Sequence, residues 1–142
     1  MTKKDRIFFD TNIFVYQFDK TEQVKQRQAI EIIERYGFNG QAVISTQVVQ
    51  EFMNVALKKF AVKLSPNELE QVMNDLLKPL CAHAPTFDFY ERTLRIHASN
   101  SISFYDALVV QAALDLECNK LYSEDLQNGQ QFGGLIVINP FI

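Results

Sequence analysis

Four carboxylates carry most of the chemistry this 142-residue chain can offer: Asp10, Glu51, Asp106 and Asp125. Asp10 closes the apolar run Ile7-Phe8-Phe9. Glu51 lies between Val48 at i−3 and Val55 at i+4 of a helical pattern, so it projects inward, where an ionised acid is costly unless compensated. Asp106 stands in the first turn of an apolar helix, and Asp125 comes shortly after the run Lys120-Leu121-Tyr122. In open parallel sheets the working groups gather beyond the carboxyl ends of the strands, so four acids from distant parts of the chain can meet at one edge. Like charges share a small site only when they are protonated or neutralised by a cation. An oxygen-only set with no His or Cys suits a hard divalent ion, Mg²⁺ or Mn²⁺. Such an ion polarises a phosphoryl group, supplies a hydroxide-like nucleophile and steadies the leaving oxygen. The residues alone therefore indicate a metal-dependent phosphate-transfer or hydrolysis site, with the substrate left open.

Taken singly, each acid has a plainer role. Asp106 suits the positive end of its helix, Asp10 can cap the segment after it, Asp125 can be a turn residue, and Glu51 can sit on a solvated rim. Held together, those roles still leave Glu51 on an apolar face unexplained.

The elements that must position the acids follow from the hydrophobic pattern. The central one begins at Ser103, a good N-cap, with Asp106 placed to reach back to it. From Ala107 to Leu114 only Gln111 interrupts an apolar surface, and a helix apolar all round is buried. It is expected to run to about Glu117. Ile7-Phe8-Phe9 predicts a strand buried on both faces, and Ile13 to Phe18 begins a helix. Thr21 to Tyr36 predicts a helix with Ala29, Ile32, Ile33 and Tyr36 on one face, ended by Gly37 and Gly40. Ala42-Val43-Ile44 is a second strand. Ser45 or Thr46 can cap the next helix, which runs to about Lys59 with Val48, Phe52 and Val55 as its stripe. Ser65-Pro66-Asn67-Glu68 combines a cap, a proline at the first helical position and a capping-box acid. That helix buries Leu69, Val72, Met73, Leu76 and Leu77 and is expected to stop at Pro79. Leu80 to Ala84 predicts a third strand. Thr86 to Ala98 predicts a helix with Phe87, Tyr90, Leu94 and His97 on one side. Lys120-Leu121-Tyr122 and Leu135 to Ile138 are late strands, with a turn at Asn128-Gly129 between them. Strands alternating with helical patterns give one α/β domain over residues 1–142, with a mostly parallel sheet and helices on both faces.

Composition bounds the partners. Hydrophobic residues make up 47% and charged residues 22% of the chain, which is a globular balance. The formal net charge of −3 argues mildly against simple electrostatic binding of nucleic acid, but it becomes +1 if the four acids hold metal. Cys81 and Cys118 show no metal-type spacing and read as core thiols of a reducing cytoplasm. His83 and His97 have no ligand-spaced partners. Lys58, Lys59, Lys63, Arg92 and Arg95 read as solvated helix charges or as a basic rim. The first apolar run ends at once in Asp10, so no signal peptide is expected, and no stretch is long enough to span a membrane.

The wording of four segments adds to this. Phe8-Phe9-Asp10-Thr11-Asn12, Ser45-Thr46-Gln47-Val48-Val49-Gln50-Glu51-Phe52, Ser103-Phe104-Tyr105-Asp106-Ala107-Leu108 and Tyr122-Ser123-Glu124-Asp125-Leu126 together resemble the PIN-domain family. The match runs through the whole chain in the right order. At this length it is most similar to small prokaryotic VapC-type toxins of toxin–antitoxin pairs. The resemblance implies a three-layer α/β/α sandwich and Mg²⁺- or Mn²⁺-dependent endoribonuclease cleavage by an activated water. By position it implies Asp10, Glu51, Asp106 and Asp125 as the catalytic, metal-holding acids. Thr11, Asn12, Ser45 and Ser123 are then the groups that orient carboxylates or substrate by hydrogen bonds. It further implies an RNA substrate, an antitoxin partner and a homodimer. One departure stands out: many VapC toxins carry a further acid two residues after the position of Asp125, where this chain has Gln127. A PIN fold that binds RNA or protein without cutting is the alternative. A haloacid-dehalogenase-like phosphatase needs a second Asp where Asn12 stands.

Overall fold

A computed structural model describes residues 4–60 and 64–142. Its frame is a six-stranded sheet of order β3-β2-β1-β4-β6-β5. Strand β1 (Ile7–Phe9) is central, and all three of its residues are buried. It pairs in parallel with β2 (Ala42–Ser45) on one side and β4 (Lys120–Tyr122) on the other. The parallel set is completed by β3 (Cys81–His83) beside β2 and β6 (Leu135–Ile138) beside β4. Only β5 (Gln131–Phe132) runs antiparallel, as a short hairpin partner of β6. Two residues are too few for a period-2 pattern to show, which is why this strand is not legible in the sequence.

The helices that flank the sheet form the outer layers of an α/β/α sandwich. Helix α1 (Thr11–Tyr16) begins directly after β1, earlier than the apolar run suggests, because Asp10 caps it: its carboxylate accepts from the Thr11 N–H. Helix α2 (Gln23–Tyr36) buries Ala29 and Ile33 and ends at Gly37. Helix α3 (Thr46–Lys58) buries Val48, Phe52 and Ala56, so its stripe turns through Ala56 rather than Val55. An aromatic chain clamps α3 against α1. Phe14 and Phe18 lie 6.5 Å and 5.9 Å from Phe52, and Phe18 lies 5.8 Å from Phe60.

The capping box at Ser65 and Glu68 forms reciprocally and opens α4 (Pro66–Val72). The helical path does not stop at Pro79. A π-helical turn (Met73–Leu77) widens it, and the helical backbone carries on through the three-residue α5 (Lys78–Leu80), which contains Pro79. Helix α6 (Phe87–Ser99) is capped by Thr86 and buries Phe89 and Thr93. The side bearing Phe87, Tyr90, Leu94 and His97 is turned to solvent. The central helix is α7 (Phe104–Asp115), buried continuously from Ala107 to Ala113. It ends two residues before Glu117, whose φ of 59° places it in the left-handed region. The N–H groups of Glu117 and Cys118 then bond back to the carbonyls of Leu114 and Ala113, a closure that usually falls on glycine.

Among the described residues no helix is long and apolar enough to cross a membrane. Both cysteines are free, and burial pushes the Cys118 thiol up to about 11. Lys63 of the basic residues noted above lies outside the described residues.

Candidate active site

The carboxyl ends of β1, β2 and β4 lie side by side, and the residues just beyond them make the site. Asp10 follows β1, Ser45 ends β2 and Ser123 follows β4. Hydrogen bonds tie these neighbouring strand ends into one unit. Asp10 is buried, with its Oδ1 accepting from the Thr11 N–H at 2.8 Å and its Oδ2 from the Ser123 hydroxyl at 2.8 Å. The Asp10 N–H in turn donates to the Tyr122 carbonyl at 3.0 Å. Ser123 has a second task, accepting from the Asp125 N–H at 3.2 Å and so shaping the loop that carries that acid.

Glu51 is reached across the α1–α3 contact. The Thr11 hydroxyl donates to its Oε2 at 2.6 Å, and Gln47, one helical turn earlier, donates to its Oε1 at 2.8 Å. The compensation that an inward glutamate demands is thus supplied by two polar side chains. Asp125 accepts from the Asn12 amide at 3.4 Å. Asp106 differs from the others. Its N–H is capped by the Ser103 hydroxyl at 3.1 Å, but its carboxylate accepts no hydrogen bond among the described residues. The cap of α7 is therefore Ser103 alone, and the acid is left free.

The carboxylates feel one another. Burial first, then the negative charges of Asp125 and Glu51, raise the Asp10 pKa to about 7, against the lowering effect of its two hydrogen bonds. Asp125 is raised too, first by the partial loss of water around its carboxyl, then by Asp106, Glu124 and Glu51. Glu124 is a fifth acid in this region, but it is occupied. The Tyr16 hydroxyl donates to it at 2.6 Å and Lys25 pairs with it at 3.1 Å.

The donor set has the chemistry of a site for a hard divalent cation. It is all oxygen, and it holds one buried carboxyl whose pKa is raised to about 7, by burial first and by its acidic neighbours after that. Asp10 and Glu51 are each fixed by two donors, as metal-holding carboxylates commonly are. Among the described residues no three of the acids stand gathered at metal-ligand spacing. The oxygen-only chemistry of the set fits the ion, and Asp106 and Asp125 are its two loosely held acids.

Of the orienting residues read from the sequence, Thr11, Asn12 and Ser123 each bond a carboxylate. Ser45 does not: its buried hydroxyl has no hydrogen-bond partner among the described residues. Gln47 was missed by sequence reasoning, although its place four residues before Glu51 on one helix is the signal that could have found it. His83 lies against Asp115 at 3.4 Å and the Phe89 ring at 4.5 Å. Arg92 pairs with Asp115 and Asp88.

A mostly parallel α/β sheet with acids collected at the carboxyl ends of its strands defines the class of protein. A family model for the PIN domain matches residues 7–127, and the chain belongs to that family. Its fold is similar to a chain of a toxin–antitoxin complex from Klebsiella pneumoniae, with a TM-score of 0.67 and 21% identity over 94% of this chain and 97% of that one. It is also similar to a chain of FitAcB from Neisseria gonorrhoeae, at 0.61 and 14% over 95% and 98%. A third likeness is to a chain of VapBC2 from Rickettsia felis, solved bound to a DNA fragment from its promoter, at 0.55 and 20% over 92% and 96%. At these identities the likeness is one of fold. No curated protein matches the chain in sequence.

Proposed function

We propose that this chain is a divalent-metal-dependent endoribonuclease, the toxin of a toxin–antitoxin pair, with Asp10, Glu51, Asp106 and Asp125 as its metal-holding acids. One observation carries the reading. Asp10 is buried, doubly hydrogen-bonded and still pushed up to about 7, because burial and neighbouring carboxylates oppose its charge. A buried acid in that state is poised to lose its proton to a cation. Bound there, Mg²⁺ or Mn²⁺ would supply Lewis-acid polarisation of the phosphodiester and a nucleophilic water at neutral pH. The chain's own residues do the rest. Thr11 and Gln47 fix both oxygens of Glu51, Ser123 and the Thr11 N–H fix both oxygens of Asp10, and Asn12 steadies Asp125. The free carboxylate of Asp106 closes the set. The antitoxin partner is supported by a solved neighbour of like fold that comes from a toxin–antitoxin complex. A homodimer belongs to the same reading and is checked by sedimentation.

The test is Mn²⁺ titration of wild type and Asp106→Asn at neutral pH, read by thermal shift, beside cleavage of single-stranded RNA with Mn²⁺ and with EDTA. Stabilisation and Mn²⁺-dependent cleavage in the wild type, both weakened in the variant, are expected. Cleavage that persists in Asp106→Asn, or that ignores EDTA, overturns the reading.

A further inference from the structure

Beside the acids lies a cavity of about 370 Å³ between the start of α3, β3 and the two last helices. This is the size range of small-molecule sites, about 300–1,000 Å³. It shares a wall with the acidic site. Gln47 lines it while donating to Glu51 and, at 3.4 Å, to the carbonyl of Tyr105, the residue before Asp106. Its lining combines aromatic faces with polar groups. Tyr105 and Tyr90 are 68% and 38% exposed, so their rings are available to a ligand. Gln50 and His83 add hydrogen-bonding groups.

The decisive feature is Ser45. It occupies the N-cap position of α3 with extended backbone, φ −108° and ψ 168°, yet its side chain makes no cap hydrogen bond. The residue is 3% exposed and lines this cavity, and its hydroxyl has no partner anywhere among the described residues. A buried hydroxyl that forgoes its ordinary cap is costly in the protein alone and is explained by a ligand that completes it.

Resting on the ribonuclease reading above, we propose that this cavity is a nucleobase subsite, which holds a base next to the phosphodiester presented to the acids. The base stacks on Tyr105 and Tyr90, and its polar edge meets the Ser45 hydroxyl and the amides of Gln47 and Gln50. Flat aromatic faces with a few converging donors and acceptors are how single-stranded RNA bases are taken up. The wall sets Ser45, Gln47, Gln50 and His83 beside Phe89, Tyr90 and Tyr105, the pairing of hydrogen-bonding groups with aromatic faces that a base requires; a second copy of this chain is told apart by the test below.

Free nucleosides test this without any call on metal or cleavage, because they carry no phosphate to be repelled by the acids. Adenosine, guanosine, cytidine and uridine are titrated singly into isotopically labelled full chain, followed by amide chemical shifts. At least one is expected to shift Ser45, Tyr105 and the side-chain amides of Gln47 and Gln50 in a saturable way. Tyr105→Ala should weaken that binding by roughly 5- to 150-fold, the range for losing one stacked base. Ser45→Ala should weaken it too, while melting no lower than wild type, since the lost hydroxyl had no partner. The proposal is overturned if no nucleoside moves these resonances up to its solubility limit, or if Tyr105→Ala responds as wild type does. It is equally overturned if the resonances move with protein concentration rather than nucleoside, which marks a self-association surface. Nucleoside binding without Mn²⁺-dependent cleavage would remove the nuclease reading alone, and cleavage without nucleoside binding would remove the subsite alone.

Discussion

Asp10→Asn should make the metal-free protein more stable while removing its response to metal. Asparagine keeps both local hydrogen bonds, because its oxygen can accept from the Thr11 N–H and its amide can donate to the Ser123 hydroxyl. What it removes is a charge that the folded state holds at a cost. The Asp10 pKa rises from 3.8 to about 7 on folding, and each pH unit is worth about 1.4 kcal/mol, so ionised Asp10 lowers stability by about 4 kcal/mol. The sign follows from proton binding. Between about pH 4 and 7 the folded state keeps a proton that the unfolded chain has lost, so stability falls as pH rises through that window and levels off above it. The variant lacks this loss. In urea denaturation with EDTA, its advantage over wild type should be nearly absent at pH 4, grow to about 4 kcal/mol near pH 7.5 and stay flat beyond. Mn²⁺ should close most of that gap: at a hundred times its dissociation constant the ion stabilises wild type by about 2.7 kcal/mol and leaves the variant unmoved. An Asp10→Asn protein no more stable than wild type at pH 8 without metal, or an advantage that does not change with pH, would refute the claim that the site stores charge for a cation.

Two further substitutions separate the site from its scaffold. Thr11→Val preserves shape but takes away the 2.6 Å hydrogen bond to Glu51, so Mn²⁺ affinity measured by calorimetry should fall about 10- to 100-fold with the fold intact. Phe52→Ala empties a fully buried position that touches Phe14, Phe18 and Phe60, and should cost about 3–5 kcal/mol in urea denaturation whether or not metal is present.

The parts of this protein that the sequence discloses are those set by local chemistry. Ser65, Pro66 and Glu68 form their capping box as read, because cap, proline and acid act within one turn. The central helix announces itself by having no polar face, and it is buried as that implies. Strand ends bearing Asp10, Ser45 and Ser123 are legible because short apolar runs stop abruptly at polar residues. What stays hidden depends on tertiary packing. The exposed side of α6 carries Phe87, Tyr90 and Leu94, so periodicity alone points at the wrong face, while the buried face rests on Phe89 and Thr93. Thr93 can be buried because its hydroxyl bonds the Phe89 carbonyl at 2.9 Å, a detail no pattern shows. Likewise, Ser45 reads as a helix cap, and only the folded chain reveals a hydroxyl left over.

The hydrogen bonds also divide the acids into two pairs. Asp10 and Glu51 each have both oxygens held, by groups on α1, α3 and the β4 loop. Among the described residues the Asp106 carboxylate has no partner, and Asp125 has one long bond from Asn12. One pair is rigid and the other adjustable. The fifth acid, Glu124, would spoil this balance if it were free, since it already raises the pKa of Asp125. Tyr16 and Lys25 hold one oxygen of Glu124 each, at 2.6 Å and 3.1 Å, and so turn it toward α2. Two acids held at both oxygens, two held loosely and a Glu124 paired with Lys25 are the division of labour that the proposed metal site calls for: fixed ligands on the scaffold and free ones to complete the shell.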